Sequence, residues 1–234
     1  MSTTPVTEIA DRPVQGSTRK LNLVIALICI AGFVVIAALV LTGKTQTFDD
    51  HVLVLLRDPV NPSVPVGATY LGEAVRDVTS LGGFVVLILV TVSSIVFLRL
   101  SGDVRVARFL GVAVIAGFVV SVALKSMFAR PRPDIVPHLA GFTMSSFPSA
   151  HAMMSAIIYP LLAWIAIRTV EQRSVRVFVL TLSLLLSVAI GLSRVYVGVH
   201  YPSDVLAGWF AGYAWVIGCV LLAPRFIRQE SIVC

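Results

Sequence analysis

Three stretches of this sequence hold residues that could carry out chemistry, and each adjoins a strongly apolar run. Residues 193–204 read SRVYVGVHYPSD, in which His200 and Asp204 are four apart. Near the start of a helix, the carboxylate can accept the proton of one imidazole nitrogen and leave the other nitrogen as a nucleophile. The other two stretches are KSMFARPRP, residues 125–133, and FPSAH, residues 147–151.

The same stretches are rich in cations. They contain Lys125, Arg130, Arg132 and Arg194. Cations gathered with few acids nearby repel one another unless an anion lies among them, and the planar guanidinium group suits phosphate oxygens. A single arginine at the end of a span, such as Arg130, is also explained as an anchor at the membrane interface. The joint pattern predicts a phosphate or a similar oxyanion as the ligand.

A second histidine and two predicted helix beginnings complete this chemistry. His151 is suited to protonate a leaving oxygen. Segments 148–149 and 202–204 are typical of helix N-termini, which present N–H groups and a partial positive charge to an anion. The residues therefore predict phosphoryl transfer through a phosphohistidine, with cations stabilising the charge on the equatorial oxygens. His51 and His138 are isolated, and we interpret them as surface residues.

The composition is that of an integral membrane protein. Of the 234 residues, 57% are hydrophobic and only 13% are charged, whereas about a quarter are charged in soluble domains. The net charge of +6 comes from basic residues scattered over short connections, so it does not indicate nucleic-acid binding. No Cys, His, Asp or Glu residues have metal-ligand spacing, and we predict no metal and no other cofactor.

Six apolar runs are long enough, or nearly so, to cross about 30 Å of hydrocarbon as helices. We therefore predict an all-α integral membrane bundle of six transmembrane helices. The predicted spans are residues 21–42, 81–100, 109–128, 149–167, 177–192 and 205–224. They form a membrane domain at 21–228, preceded by a disordered cytoplasmic tail at 1–20 and followed by a cytoplasmic C-terminal tail at 229–234.

The long connection between the first two spans has its own pattern. Phe48, Val52 and Leu55 recur at helical spacing, and residues 67–78 repeat the pattern. Both segments are predicted to be amphipathic helices at the membrane interface. Two roles remain open for them, since the pattern fits helices that guide a lipid to a site as well as helices that cap the bundle.

The basic residues predict the orientation. Connections on one side of the membrane hold eleven Lys and Arg residues, and those on the other side hold seven. The excess favours the first side as cytoplasmic. The protein is then predicted to lie in the cell inner (plasma) membrane with both termini in the cytoplasm. All three chemical stretches then lie on the opposite, periplasmic or extracellular side.

The three stretches resemble the signature of the type 2 phosphatidic acid phosphatase family, which also includes the vanadium haloperoxidases. Its motifs are Lys, six residues, Arg-Pro; then Pro-Ser-Gly-His; then Ser-Arg, five residues, His, three residues, Asp. The matching residues are Lys125, Arg132 and Pro133, then Pro148, Ser149 and His151, then Ser193, Arg194, His200 and Asp204. Ala150 replaces the glycine of the second motif, and we expect its amide to remain usable because a first helical turn has negative φ.

The resemblance implies a role for each matched position. His200 is the nucleophile, His151 the acid and Asp204 the partner that orients the nucleophile. Phosphate binding is assigned to Lys125, Arg132, Ser149, the backbone at Ala150, and Arg194. The resemblance also implies hydrolysis without a metal.

We therefore predict a membrane lipid phosphatase that hydrolyses a lipid phosphate or diphosphate at the outer face. The candidate substrate classes are phosphatidylglycerophosphate, phosphatidic acid, undecaprenyl diphosphate and lipid A phosphate. Two alternatives remain open, an anionic-lipid transporter or binding protein and a hydrolase of a soluble phosphomonoester. The predicted partners are the lipid phosphate and membrane lipids. The sequence does not indicate whether the protein is a monomer or an oligomer.

Overall fold

The computed structural model describes residues 16–67, 69–136 and 145–227. Within these ranges the chain forms eight α-helices and no β-strand. The helices are α1 (Gly16–Leu41), α2 (Gln46–Leu55), α3 (Thr69–Leu81), α4 (Phe84–Leu100), α5 (Val104–Phe128), α6 (Ala150–Ala166), α7 (Arg173–Tyr196) and α8 (Pro202–Ile227). These helices confirm the predicted all-α membrane fold. An apolar run in lipid forms a helix because a helix satisfies the backbone hydrogen bonds internally.

Helix length and composition do not confirm the predicted number of spans. In the described ranges, α1, α5, α7 and α8 are each long and apolar enough to cross a membrane. Helices α3 and α4 bend by 46° at a short break and add a fifth span if the pair is counted as one. Helix α6 has 17 residues, about 25 Å of length, so it falls short of the usual span. By length and composition alone, the described ranges therefore hold four or five spans, and the predicted count of six is not confirmed.

The ends of the helices also differ from the predicted bounds. Helix α1 begins at Gly16, so residues 16–20 of the predicted tail are helical. Helix α5 begins before its apolar run, and α7 extends beyond its run at both ends, because charged residues such as Arg105 and Arg173 can continue a helix into the interface. Residues 1–15, the C-terminal tail and His138 lie outside the described residues.

Helix α6 lies at the centre of the bundle and packs against α5, α7 and α8. Ten of its 17 residues are buried, among them Ile157 and Leu161, which belong to one apolar cluster with Leu110 of α5 and Val216 of α8. A helix surrounded in this way is shielded from lipid on most sides. Its N-terminus is thereby held in a fixed place at one end of the bundle.

Two glycines allow α8 to approach α6 closely. A Cβ atom at Gly208 would lie 2.7 Å from the carbonyl oxygen of Ser149, and one at Gly212 would lie 2.6 Å from that of Met153. Small residues four apart are typical of tight contacts between membrane helices. This contact brings the N-terminus of α6 beside the N-terminus of α8.

Candidate active site

Four helix ends meet on one side of the bundle. The C-terminal ends of α5 and α7 carry Lys125 and Arg194, and the N-terminal ends of α6 and α8 carry His151 and Asp204. The backbone N–H of Ser149, just before α6, donates to the carbonyl oxygen of Asp204 at 3.0 Å. The three stretches singled out in the sequence therefore form one cluster.

His200 lies at the centre of the cluster and is 2% exposed. Its Nδ1 is 3.4 Å from Oδ2 of Asp204, and that oxygen also accepts the backbone N–H of Tyr201 at 3.0 Å. Its Nε2 is 3.4 Å from a guanidinium nitrogen of Arg132. Because a guanidinium group only donates, Nε2 is the acceptor and the proton is on Nδ1, facing the carboxylate.

The surroundings of His200 keep its imidazole neutral. Burial, followed by the charges of Arg132, Lys125 and Arg194, lowers the pKa of His200 well below its usual value. A neutral ring with its proton on Nδ1 leaves a lone pair on Nε2. That lone pair is what a nucleophile at phosphorus requires.

Three cations surround this nitrogen, and each is held by a hydrogen bond. Lys125 Nζ donates to the carbonyl oxygen of Ser145 at 2.6 Å, and Arg132 Nη1 donates to that of Val199 at 2.8 Å. Arg194 Nη1 donates to Oγ1 of a threonine in α3 at 3.2 Å. Lys125 is 6% exposed and Arg194 is 1% exposed. Such buried, oriented cations can stabilise an anion far more strongly than cations in water can.

The beginning of α6 supplies the remaining predicted residues. Ser149 is the N-cap, and its Oγ accepts the backbone N–H of Ala152 at 3.5 Å. Ala150 is the first helical residue, as expected, and is not among the residues with positive φ. His151 follows, half-buried, and interacts electrostatically with His200 and the surrounding cations. All eight predicted site residues thus lie at this end of the bundle.

The sequence interpretation missed two residues from the long connection. Asp49 of α2 accepts hydrogen bonds from Arg130 Nη2 at 2.9 Å and from the backbone N–H of Ser203 at 3.0 Å. Thr79 of α3 accepts the bond from Arg194 and also contacts Ser193 Oγ at 2.7 Å. Helices α2 and α3 therefore brace the site as well as covering the bundle.

The predicted apolar residues of α2 divide between two environments, and Val52 packs on the bundle with Leu53. Phe48 and Leu55 are 57% and 61% exposed, whereas Asp49 and Leu53 are fully buried. Asp49 and Leu53 are four residues apart and share the face that packs on the bundle. The signal for Asp49 was thus an acid four residues before a buried leucine, on a face that adjoins the one we favoured.

Arg130 is not an interface anchor. Its side chain is 9% exposed and makes ion pairs with Asp49 and Asp204. Its guanidinium carbon lies 4.1 Å from the ring centroid of Tyr201. Both the interface interpretation and the grouping of Arg130 with the phosphate cations were therefore wrong, since its partners are carboxylates.

This geometry can bind a phosphoryl group among cations and attack it with a neutral imidazole. In the described ranges, no three His, Cys, Asp or Glu side chains are grouped to hold a metal ion. The model of the PAP2 superfamily matches residues 106–228, more than half of the chain. The chain belongs to the PAP2 superfamily.

Two curated relatives of this PAP2 protein bear on its activity. It is 30% identical over 190 residues to phosphatidylglycerophosphatase B of Bacillus subtilis, covering 77% of this chain and 85% of the relative. It is 29% identical over 125 residues to an undecaprenyl-diphosphatase of Sulfolobus acidocaldarius, covering 47% and 52%. The predicted family is confirmed, and the protein is a membrane lipid phosphatase.

Solved structures agree with this assignment. The PAP2-type phosphatidylglycerolphosphate phosphatase from Bacillus subtilis matches this PAP2 chain with a TM-score of 0.74 and 25% identity, over 88% of this chain and 98% of that one. LpxE from Aquifex aeolicus matches with a TM-score of 0.54 and 25% identity, over 66% and 88%. A multi-pass membrane protein is therefore confirmed.

Proposed function

We propose that this phosphatase cleaves its lipid phosphate through a phosphohistidine formed on Nε2 of His200. The observation that carries the proposal is the buried imidazole of His200, which contacts Asp204 at Nδ1 and faces Arg132 at Nε2. A nucleophile with this tautomer, aimed into a cluster of cations, is suited to a phosphoryl group.

The reaction has two displacements at phosphorus. In the first, Nε2 of His200 forms a bond to phosphorus while the bond to the lipid oxygen breaks, and His151 gives that oxygen a proton. In the second, water attacks phosphorus, His151 takes a proton from it, and the P–N bond breaks to release phosphate. Lys125, Arg132 and Arg194 stabilise the charge on the equatorial oxygens, with the backbone of Ser149 and Ala150 at the helix start.

His151 must be protonated to act as the acid. Bound phosphate neutralises part of the positive charge contributed by Arg194 and the other cations, and this favours proton uptake by His151. The lipid therefore promotes the protonation state that its own cleavage requires.

Phosphatidylglycerophosphate is the substrate we favour. The support is similarity, since the chain matches one phosphatidylglycerophosphatase over 77% of its length and the solved structure of such an enzyme over 88%. Phosphatidic acid, undecaprenyl diphosphate and lipid A phosphate remain the alternative substrates, and the assay below compares all four lipids.

We propose an outward-facing site in the plasma membrane, with both termini in the cytoplasm. The support is the count of eleven basic residues on one side against seven on the other. Four of the seven are Lys125, Arg130, Arg132 and Arg194, which lie in or beside the site. When these four are set aside, the remaining basic residues are distributed between the two sides more unequally than the raw count indicates.

Purified protein in lipid nanodiscs tests the reaction. Phosphate release is measured from the four lipid classes and from soluble glycerol 3-phosphate, for wild type, His200→Ala and His151→Ala. His51, exposed on α2, provides the matched control His51→Ala. We expect His200→Ala to lose at least about a thousandfold in kcat, and His51→Ala to match wild type.

Wild-type release by His200→Ala would refute the phosphohistidine. Turnover of glycerol 3-phosphate as fast as that of every lipid would refute a lipid substrate. Phosphatidylglycerophosphate ranking below the other lipids would refute the favoured substrate alone.

Topology is tested by cysteine labelling in a Cys234→Ser background. Ser63 and Ser101 are both exposed, one in the α2–α3 connection and one between α4 and α5. A membrane-impermeant maleimide added to intact cells should label Ser63→Cys, and should label Ser101→Cys only after permeabilisation. The reverse pattern would refute the proposed orientation.

A further inference from the structure

A buried chain of charges lies behind His200. Arg130 donates from Nη1 to Oδ1 of Asp204 at 2.7 Å and from Nη2 to Oδ2 of Asp49 at 2.9 Å. The other oxygen of Asp204 faces Nδ1 of His200 at 3.4 Å. Each oxygen of Asp204 therefore has its own direction, one toward Arg130 and one toward the nucleophile.

Asp49 connects this chain of charges to the start of α8. Its Oδ1 accepts the backbone N–H of Ser203, and its Oδ2 accepts the hydroxyl of the same residue. A side chain of α2 thus caps the helix whose first turn carries Asp204. Asp49 fixes both Arg130 and the backbone that positions Asp204.

The ion pairs compensate a large cost of burial. Asp49 and Asp204 are fully buried, and a buried carboxylate without a paired cation takes up a proton instead. Burial alone would lower the pKa of Arg130, but Asp204 and Asp49 raise it overall. A cation held in this way is charged at every pH at which the enzyme works.

We propose that Arg130 and Asp49 are positioning residues of the phosphatase reaction. They keep Asp204 ionised and aligned on Nδ1 of His200, which holds the imidazole in the tautomer that attacks phosphorus. The inference rests on the proposed function, because it assigns no contact with the phosphoryl group to either residue.

The hydrogen bond from Arg130 to Oδ1 of Asp204 distinguishes Arg130 from the other cations near this carboxylate. Lys125 and Arg132 interact with Asp204 electrostatically, whereas Lys125 donates to the carbonyl oxygen of Ser145, and Arg132 to that of Val199 and to Nε2 of His200. From the remaining elements, His200 contacts the same carboxylate, and Asp49 pairs with the other end of the Arg130 guanidinium group. Removing Arg130 therefore takes away the cation bonded to Asp204.

The expected signature is a change in the pH dependence. Without Arg130, Asp204 takes up a proton at higher pH and then no longer accepts the Nδ1 proton. The acidic limb of kcat should move to higher pH, by about one unit if one direct ion pair is lost. KM should change little, because neither residue contacts the phosphate.

The experiment compares Arg130→Met, Arg130→Lys, Asp49→Asn and the Arg130→Met/Asp49→Asn double variant with wild type and His200→Ala, on a lipid phosphate that wild type hydrolyses. Exposed charges at the other end of the bundle provide the matched controls Arg99→Met and Glu171→Gln. Measurements are kcat and KM from pH 4 to 9, with the thermal midpoint of each variant.

We expect Arg130→Met to lose about a hundredfold in kcat with KM within about threefold of wild type. Asp49→Asn should lose about tenfold, and the double variant should lose no more than Arg130→Met, because coupled residues are not additive. Arg130→Lys should restore part of the rate, since an ammonium group can pair with Asp204 but lacks the fork that reaches both acids. The controls should match wild type.

Folded Arg130→Met with the wild-type kcat and acidic limb would overturn the inference. A loss of kcat with an unmoved limb and additive variants would overturn it too, because that result marks a purely structural role. If Arg130→Met does not fold, Arg130→Lys and Asp49→Asn decide by the same criteria. Failure of the proposed function looks different, because it leaves His200→Ala as active as wild type.

Discussion

Replacing Gly208 by alanine tests whether the close approach of α8 to α6 positions the active site. The new Cβ would lie 2.7 Å from the carbonyl oxygen of Ser149 and 3.0 Å from Cβ of Ala152. The first distance is about 0.7 Å short of an ordinary van der Waals contact. The neighbour is backbone, which cannot rotate away, so the two helices must separate at their N-terminal ends.

The cost can be estimated from this overlap. Overpacking of a tight contact costs about 1–3 kcal/mol, which for a chain of this size lowers Tm by roughly 2–12 °C. The same movement displaces Ser149, Ala150 and His151 relative to Asp204. Because a misplacement of about 1 Å can cost about a hundredfold in rate, we expect the smaller shift here to lower kcat about tenfold.

Two glycines of the same helix provide the controls. At Gly218 no atom lies within 4 Å of the position that an alanine Cβ would occupy, so Gly218→Ala should keep the wild-type kcat and gain up to about 1 kcal/mol from helix propensity. Gly212→Ala overlaps Met153 as severely as Gly208→Ala overlaps Ser149, but one turn further from the site. It should lower Tm comparably and kcat less.

The assays are thermal unfolding in detergent and phosphate release from a lipid that wild type hydrolyses. Wild-type Tm and kcat in Gly208→Ala would refute the claim that the contact is tight. A larger loss of kcat in Gly212→Ala than in Gly208→Ala would refute the claim that the contact positions the site.

Three further predictions concern the site itself. Thr79→Val removes the hydroxyl that holds Arg194, so inhibition by vanadate, which mimics the transferring phosphoryl group, should weaken about tenfold; an unchanged Ki would contradict this role. The pKa of folded His200 is depressed by burial and by its neighbouring cations, so the unfolded chain alone takes up this proton below about pH 6.5 and stability falls as pH decreases. Above that pH His200 contributes no pH dependence, and Tm measured from pH 5 to 8 should decline less steeply in His200→Gln; an equal decline would count against the depressed pKa. Activity should survive a chelator, and loss that added divalent metal reverses would contradict hydrolysis without a metal.

The candidate site was largely predictable because its parts are local in sequence. His200 and Asp204 are separated by one helical turn, and each motif lies at one helix end. In addition, the six predicted spans alternate in direction, so parity alone brings the ends of the third and fifth predicted spans to the same side as the beginnings of the fourth and sixth. The structure places all these residues in one cluster.

Arg130 shows where this reasoning fails. Its partner Asp49 is 81 residues away, on a short helix whose apolar pattern allows more than one bundle-facing side. Which side faces inward depends on how α2 docks on α8, and docking reflects the summed packing of both surfaces. Local sequence therefore suggested an interface anchor where the fold contains a buried ion pair.

The sequence by itself determined the helical class, the membrane environment and the family, and it predicted the residues that we propose for the reaction. These follow from apolar length and from fixed spacings along the chain, and neither depends on distant contacts. Only the tertiary structure decided that α6 is a short central helix, that α2 and α3 brace the site, and that Arg130 pairs with Asp49 and Asp204. Such facts depend on which faces of separate helices meet, and that choice is made by packing and by the need to pair buried charges.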